Sequence, residues 1–315
     1  MGKIEIDHTG AGAGVKLSSD GTALLLDGTA VGGGGSPELY AENPVTPTAP
    51  SATGTNAVAI GSGSTSSQEK SFSVMGGTAS GQYSMAFNNY SVSSGQKSIS
   101  LGWLTDATGI SSVAIGTGTQ SSGLHSVSLG QAYASGADSF AAAIANSTSS
   151  YGATGANSIA MGKQAKATAT DAVCISKLST ASGPLSTVLG GSSGTASGAT
   201  SLVLGGGSNT ASGELSTVKG FYGNTNGIRL KHATGVYPNM QGAYYVLGYE
   251  TTDATPIALN TSVWTPTSAN QIILPNNSAY AFHGTIVARQ QASTGTACAA
   301  WKVEGLIRRE GSAGT

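Results

Sequence analysis

The 315-residue sequence predicts an all-β protein whose central part is a β-solenoid of about twelve 14-residue coils. The first observation is a pentad of small and branched residues, such as Ala-Val-Ala-Ile-Gly at 57–61, which keeps returning between residues 56 and 220. The second is the alternation inside each pentad, which is typical of an extended strand with one branched and one small face. The third is that Gly, Ser, Thr and Ala fill the intervals, where Gly-bearing turns connect strands.

The chain divides into four predicted regions. Residues 1–31 alternate short apolar runs with Gly and Asp-Gly turns, which indicates a small β segment. Residues 32–55 contain four consecutive glycines and four prolines, a composition typical of an extended linker. Residues 56–220 form the repeat region, and residues 221–315, with six of the eleven tyrosines, form an antiparallel β-domain. Its last apolar strand runs into a Gly-Ser turn, so the natural chain either continues or ends in a tail.

The spacing of the pentads favours an ordered repeat over a disordered Gly/Ser-rich tract. Their fourth residues fall at Ile60, Val74, Phe87 and Leu101, which are 14, 13 and 14 residues apart, and a disordered tract has no reason to keep that phase. The branched residues are predicted to form a repeat core that stacking of coils buries. These residues are Val58, Ile60, Ile99, Leu101, Val113, Ile115, Val127, Leu129, Ile159, Met161, Val173, Ile175, Leu202 and Leu204.

Composition restricts the partners of the chain. Charged residues make up 9% of the sequence and the net charge is −1, which gives no electrostatic footprint for nucleic acid. The small number of charged residues also suggests that much of the surface is buried against other chains, and we therefore expect an oligomer. No apolar stretch approaches the length of a membrane helix, so we expect no membrane insertion. The two cysteines imply no disulfide framework, and Cys174 is expected to be a small packing residue.

The Ser/Asn-Val-Ala-Ile-Gly pentads at a 14-residue step resemble the head repeats of YadA-type trimeric adhesins. The resemblance covers residues 56–220. It implies a left-handed parallel β-roll in which three chains pack side by side. A YadA-type adhesin also has a signal peptide, a coiled-coil stalk and a membrane-anchoring β segment, and no such pattern is found in this sequence.

The two ends resemble modules of a different group of fibres. Residues 2–10 and 25–28 are similar to the N-terminal segment of fibre-like proteins from marine and cyanobacterial phages. Residues 281–289 and 301–309 are similar to a C-terminal β-module of such tail-fibre proteins, which usually runs on beyond the equivalent of residue 315. These two resemblances imply a virion appendage in which the N-terminal segment binds other tail or capsid proteins.

Catalytic and metal motifs are weak in this sequence. Residues 190–194 fit G-x-S-x-G, but that motif requires a strand-to-helix elbow and His and acid partners. Residues 67–70 fit S-x-x-K without the companion motifs. The four histidines are scattered, and the few carboxylates of the repeats share no recurrent position, so we expect no enzyme, no metal and no cofactor. Ice binding by Thr and Ser arrays is an alternative, but the Thr positions are intermittent.

The sequence therefore predicts a trimeric fibrous virion protein, a phage tail fibre or similar appendage whose C-terminal domain touches a host glycan or protein receptor. The alternatives are a head fragment of a bacterial surface adhesin and a virion part with no receptor role. The proposed host-contact residues are the aromatic side chains Tyr244, Tyr245, Trp264 and Trp301. Each of them could instead fill the core or the trimer interface.

Overall fold

The computed structural model is all-β and contains about 13 turns of β-solenoid. Two compact units divide the chain, residues 1–157 and residues 158–315. The structure describes the backbone of four short strands between residues 4 and 30, and then residues 48–311 apart from 146–148, 237–239, 253–254, 263–264, 268–269 and 291–296.

The first unit opens with a four-stranded antiparallel sheet. Its strands are Ile4–Glu5, Lys16–Ser19, Leu24–Leu26 and Thr29–Ala30, and each pairs with the next along the chain. The Gly-rich residues 10–14 and the Asp-Gly pair at 20–21 lie between these strands in the sequence and outside the described residues. Most of the proposed linker, residues 32–47, lies outside the described residues.

Two parallel sheets build the solenoid of the first unit. The pentads form one, which we call the pentad sheet, with strands Val58–Ile60, Phe72–Val74, Met85–Phe87, Ile99–Leu101, Val113–Ile115, Val127–Leu129 and Phe140–Ala142. The intervals form the short-strand sheet, with strands Ser51–Ala52, Thr65–Ser66, Thr78–Ala79, Val92–Ser93, Asp106–Ala107, Gln120–Ser121, Tyr133–Ala134 and Gly152–Ala153.

The second unit repeats this arrangement with longer pentad strands. They are Ile159–Met161, Val173–Lys177, Thr187–Ser192, Leu202–Gly207, Thr217–Phe221 and His232–Val236. The short strands are Lys166–Ala167, Thr180–Ala181, Thr195–Ala196 and Thr210–Ala211. Met240–Tyr244 then pairs antiparallel with His232–Val236, and Ser278–Arg289 pairs antiparallel with Cys298–Arg309 in a separate hairpin. The parallel coils thus extend beyond residue 220.

A recurrent serine explains why the pentads begin as they do. In six coils the hydroxyl of the pentad serine donates to the carbonyl oxygen of the Gly or Gln three positions earlier. The distance is 2.7 Å from Ser98 to Gly95 and 2.8 Å from Ser126 to Gly123. Gly95 is obligatory for a second reason, because a Cβ there would overlap the carbonyl of Gly109 one coil away. The same two devices repeat and keep the coils in register.

Small side chains fill the interior of each coil. Ala86, Ser100 and Ala114, the middle residues of three pentad strands, are fully buried, whereas the branched residues on either side of them point outward and are half-buried or exposed. Cys174 is also fully buried at the interior position, as expected for a small packing residue. In the next coils Val188 takes the same position, so the interior of the second unit accommodates larger side chains.

The prediction that the branched pentad residues form the core is therefore wrong for the single chain. Connections of two to five residues join most consecutive strands of the two sheets, and the interior position of the pentad strands holds Ala or Ser up to residue 160 and Val in later coils such as that of Val188. Stacking of coils leaves these branched side chains on the outer surface. The residues concerned are Val58, Ile60, Ile99, Leu101, Val113, Ile115, Val127, Leu129, Ile159, Met161, Val173, Ile175, Leu202 and Leu204.

Candidate functional site

The outward side chains of the pentad sheet form a continuous apolar surface, which we call the pentad face. Strands pair in parallel register, so that the second pentad residues form one column and the fourth residues form another. The first unit has columns of seven residues each: Val58, Phe72, Met85, Ile99, Val113, Val127 and Phe140, and Ile60, Val74, Phe87, Leu101, Ile115, Leu129 and Ala142.

The second unit has the same two columns of outward side chains, and their apolar character ends within it. Its columns read Ile159, Val173, Thr187, Leu202 and Thr217, and Met161, Ile175, Leu189, Leu204 and Lys219. A lysine and a threonine thus replace the apolar pair in the strand Thr217–Phe221. The apolar part of the pentad face in this unit consequently stops at Leu202 and Leu204.

The dimensions of the pentad face are those of an interaction surface. Seven strands at a spacing of roughly 4.8 Å give an apolar strip about 29 Å long in the first unit. Phe72 and Phe87 lie on opposite columns of neighbouring strands, with ring centroids 5.2 Å apart and an edge-to-face angle of 84°. A contiguous apolar surface of this extent is unusual on an isolated soluble chain and marks a contact with another molecule.

The opposite surface, on the short-strand sheet, is mostly polar, with Val92 and Tyr133 as apolar members of its outward column. Its outward side chains include Thr65, Thr78, Asp106 and Gln120, all half-buried. Partial burial raises the pKa of the Asp106 carboxyl, and the hydrogen bond from Gln120 acts in the opposite direction. The coil therefore has one apolar and one polar face, and only the apolar face has the composition of a buried interface.

The four proposed host-contact residues have different surroundings. Tyr244 and Trp301 are exposed, the former beside His232 and the latter opposite Ile286 in the hairpin. Tyr245 is partly buried over the side chain of Lys231, and burial raises the pKa of its phenol to about 12. Trp264 lies outside the described residues. Of the three described residues, Tyr244 and Trp301 are the two that are exposed to contact with another molecule.

Sequence reasoning missed a second group of exposed aromatic and aliphatic residues in the first unit. Tyr90, Trp103 and Leu104 lie in the turns that follow two pentad strands and are exposed. A signal for them exists in the sequence, because the equivalent turns at 61–63 and 116–118 read Gly-Ser-Gly and Gly-Thr-Gly. Large side chains at positions that other coils fill with glycine require a reason.

The described residues offer no catalytic or metal-binding arrangement. Gly190–Gly194 runs from a parallel strand into a turn and the next short strand, so the strand-to-helix elbow that G-x-S-x-G needs is not formed there. Within the described part of the chain, no group of three or more His, Cys, Asp or Glu side chains could hold a metal ion. In that same part, no helix has the length and apolar character needed to cross a membrane.

Comparison with known protein families identifies the repeats. The YadA head domain repeat (2 copies) matches residues 52–74, 107–132 and 153–173. Each match includes a complete pentad strand, at Val58–Ile60, Val113–Ile115 and Ile159–Met161. The resemblance to YadA-like head repeats is therefore confirmed, and such repeats are typical of structural adhesins rather than enzymes. A search of curated proteins finds no match to the chain.

Proposed function

We propose that this chain is a trimeric fibrous virion protein, a tail fibre or similar appendage of a tailed phage. Its pentad faces meet around a common axis. The observation that carries the proposal is the continuous apolar pentad face on a chain with only 9% charged residues. Heads built from YadA repeats are homotrimeric, which supports self-association through this face. Closed cyclic symmetry then buries the same face of all three copies.

The proposed roles of the three regions follow their order along the chain. The N-terminal sheet binds other tail or capsid proteins, the coils act as a rigid spacer, and the C-terminal strands present a host-binding tip. Exposed Tyr244 and Trp301 support a contact role for the tip, because exposed aromatic rings serve both sugar and protein recognition. Three copies of a weak site raise the avidity for a glycan or protein receptor without any single tight site.

A second candidate is a head fragment of a bacterial trimeric autotransporter adhesin. The match to the YadA head repeat favours it as much as it favours a phage fibre, since both use the same coil. The two candidates differ in where the protein resides, on a virion or on a bacterial surface. A third role, a virion appendage without a receptor, shares the trimeric coil and differs only at the tip.

Mass in solution tests the trimer. Light scattering of the purified chain is expected to give about three times 30.9 kDa. Lysines at two neighbouring positions of the pentad face, Ile115→Lys with Leu129→Lys, should abolish the trimer, because three pairs of charges would be buried at the axis. Gln120→Lys, on the outer side of the short-strand sheet where another coil carries Lys166, is the matched control and should remain trimeric. A monomeric wild-type chain would refute the proposal.

Location and binding test the remaining parts. Antibodies against the chain should label purified phage particles in electron microscopy, whereas labelling of bacterial cells alone would favour the adhesin. The trimer should bind whole host cells, and Tyr244→Ala with Trp301→Ala should reduce this binding while leaving the mass unchanged. Unchanged binding by that double variant would remove the receptor role from these two residues.

A further inference from the structure

The turns of the solenoid form two edges that flank the pentad face. We call the turns that follow the pentad strands the exit edge and those that precede them the approach edge. Backbone hydrogen bonds connect successive turns on each edge, for example from Gly118 N to Trp103 O on the exit edge and from His125 N to Ile110 O on the approach edge. Each edge is therefore a straight column of turns along its unit.

The exit edge of the first unit carries unexpected apolar side chains. Tyr90 is 61% exposed and Leu104 is 43% exposed, and both adopt a left-handed backbone conformation, with φ of 58° and 52°. Gly63 and Gly118 take the equivalent left-handed positions in flanking coils. This left-handed conformation recurs in the turns of both edges, for example at Lys97 and His125, so the exposed apolar side chain, and not the backbone, distinguishes Tyr90 and Leu104.

The approach edge carries exposed apolar residues at the same level of the solenoid. Ile110 is 50% exposed and lies six residues after Leu104, which is about half a coil. Leu124, also exposed, follows in the next turn. Below them this edge is polar: Gln96 donates to Gln82, and Gln82 donates to Glu69, each at 2.7 Å. Half a coil after Tyr90 the approach edge carries Gln96, so the coincidence of apolar residues on both edges in this unit is that of Leu104 with Ile110.

The second unit shows the same coincidence independently. Leu178 on the exit edge is 44% exposed, and Leu185 on the approach edge, seven residues later, is 58% exposed. Both have left-handed backbones, with φ of 55° and 57°. An offset of about half a coil thus separates Leu178 from Leu185, as it separates Leu104 from Ile110.

We propose that the exit edge of each copy packs against the approach edge of the next copy around the trimer, with Leu104 facing Ile110 and Leu178 facing Leu185. This inference rests on the proposed trimer. Copies that turn one face toward a common axis bring opposite edges of neighbours together, which is a heterologous contact that closes a ring. Copies related by rotation about the axis lie at the same height along it, so their edges meet at the same level. Residues that are half a coil apart in one chain differ in height by only about 2.4 Å.

Contact within one chain cannot explain these residues. Leu104 and Ile110 lie at opposite ends of the stretch that contains the short strand Asp106–Ala107, so their Cα atoms are on the order of 15 Å apart. A disulfide requires Cα atoms within about 7 Å. Cysteines at both positions can therefore join only different copies.

The test is a double variant, Leu104→Cys with Ile110→Cys, in a Cys298→Ser background that removes the exposed native thiol. Mild oxidation of the trimer is expected to give covalent dimers and trimers on a non-reducing gel, which reductant dissolves. Leu104→Cys with Ser62→Cys is the matched control. Both of its sites are exposed on the exit edge, about three coils or roughly 14 Å apart, and it should remain monomeric on the gel.

The possible outcomes separate this proposal from the trimer itself. A trimer in light scattering without cross-links between positions 104 and 110 would overturn the edge contact while leaving the proposed function intact. In that case the exposed aromatic turns would be free for an outside ligand. Equal cross-linking in the control would likewise overturn it, because it would report random collision. A monomer in light scattering would refute both proposals. Leu178→Cys with Leu185→Cys should repeat the positive result in the second unit.

Discussion

Replacement of Lys231 should stabilise the second unit and change how its stability depends on pH. Lys231 occupies the place in the last coil that Ser216 takes one coil earlier, and it is only 1% exposed. Its ammonium lies 5.8 Å from the centre of the Tyr245 ring. Burial lowers the pKa of this lysine from 10.5 to about 8, because the charged form loses its hydration.

The sign and size of the effect follow from linkage. Below pH 8 the lysine is charged in both states, so the folded state carries the full cost of burying the charge. This cost is about 3 kcal/mol, from 1.36 kcal/mol per pKa unit. Between pH 8 and 10.5 the unfolded chain binds more protons than the folded chain, so stability rises with pH. From pH 7 to pH 9.5 the free energy of unfolding should increase by about 2 kcal/mol.

The substitution Lys231→Met keeps the length of the side chain and removes the charge. At pH 7 we expect a gain of about 2 kcal/mol in the free energy of unfolding, since the lost cation–π contact with Tyr245 offsets part of the relief. Guanidinium unfolding followed by far-UV circular dichroism at pH 7 and pH 9.5 measures both effects. Lys163→Met, at an exposed lysine of the same unit, is the control and should keep the wild-type pH dependence. A less stable Lys231→Met variant, or one with the wild-type increase between the two pH values, would refute this reasoning.

Three further outcomes are expected from the coil geometry. Gly95→Ala should destabilise the first unit by about 3 kcal/mol in thermal unfolding, because its Cβ would overlap a backbone carbonyl, whereas Gly242→Ala, with open space around it, should change little. A thiol reagent at pH 8 should modify Cys298 in the folded chain but reach Cys174 only after unfolding, because burial raises the pKa of the Cys174 thiol to about 11. Cys174→Val places the residue of the next coil at this interior position and should change the free energy of unfolding by less than about 1 kcal/mol. A larger loss would show that the interior is narrower there.

The spacing of the pentads was sufficient to predict parallel coils and their register. Steps of 13 to 15 residues bring equivalent positions together, as in the pairing of Ile99 with Val113 and of Val113 with Val127. The antiparallel pairing near the end of the chain is also confirmed, for Ser278–Arg289 with Cys298–Arg309. These features depend on the periodicity of residue types along the chain, which can be read from the sequence alone.

The direction of the two pentad faces could not be predicted in the same way. Alternation shows that Val113 and Ile115 share one side and that Ala114 faces the other, but it does not say which side is the interior. The usual expectation that branched residues lie inside fails because the distance between the two sheets is set by short turns. The small volume of the middle residue identifies the interior side, because Ala and Ser recur without exception at the middle position of the pentad strands up to residue 160.

This reversal connects stability with association. The interior of the first unit consists mainly of Ala, Ser and Thr side chains, which contribute little hydrophobic free energy, while most coils carry two larger apolar residues on the pentad face. Full burial of a Val, Leu or Ile side chain contributes about 1.5–3 kcal/mol, so the larger part of the available stabilisation is gained only when pentad faces meet. We therefore expect folding and assembly of the coils to be coupled, with an unfolding midpoint that rises with protein concentration. In the proposed trimer the low charge of the chain has the same origin, because a coil with one face toward the axis and two edges toward its neighbours would leave only the short-strand sheet in contact with water.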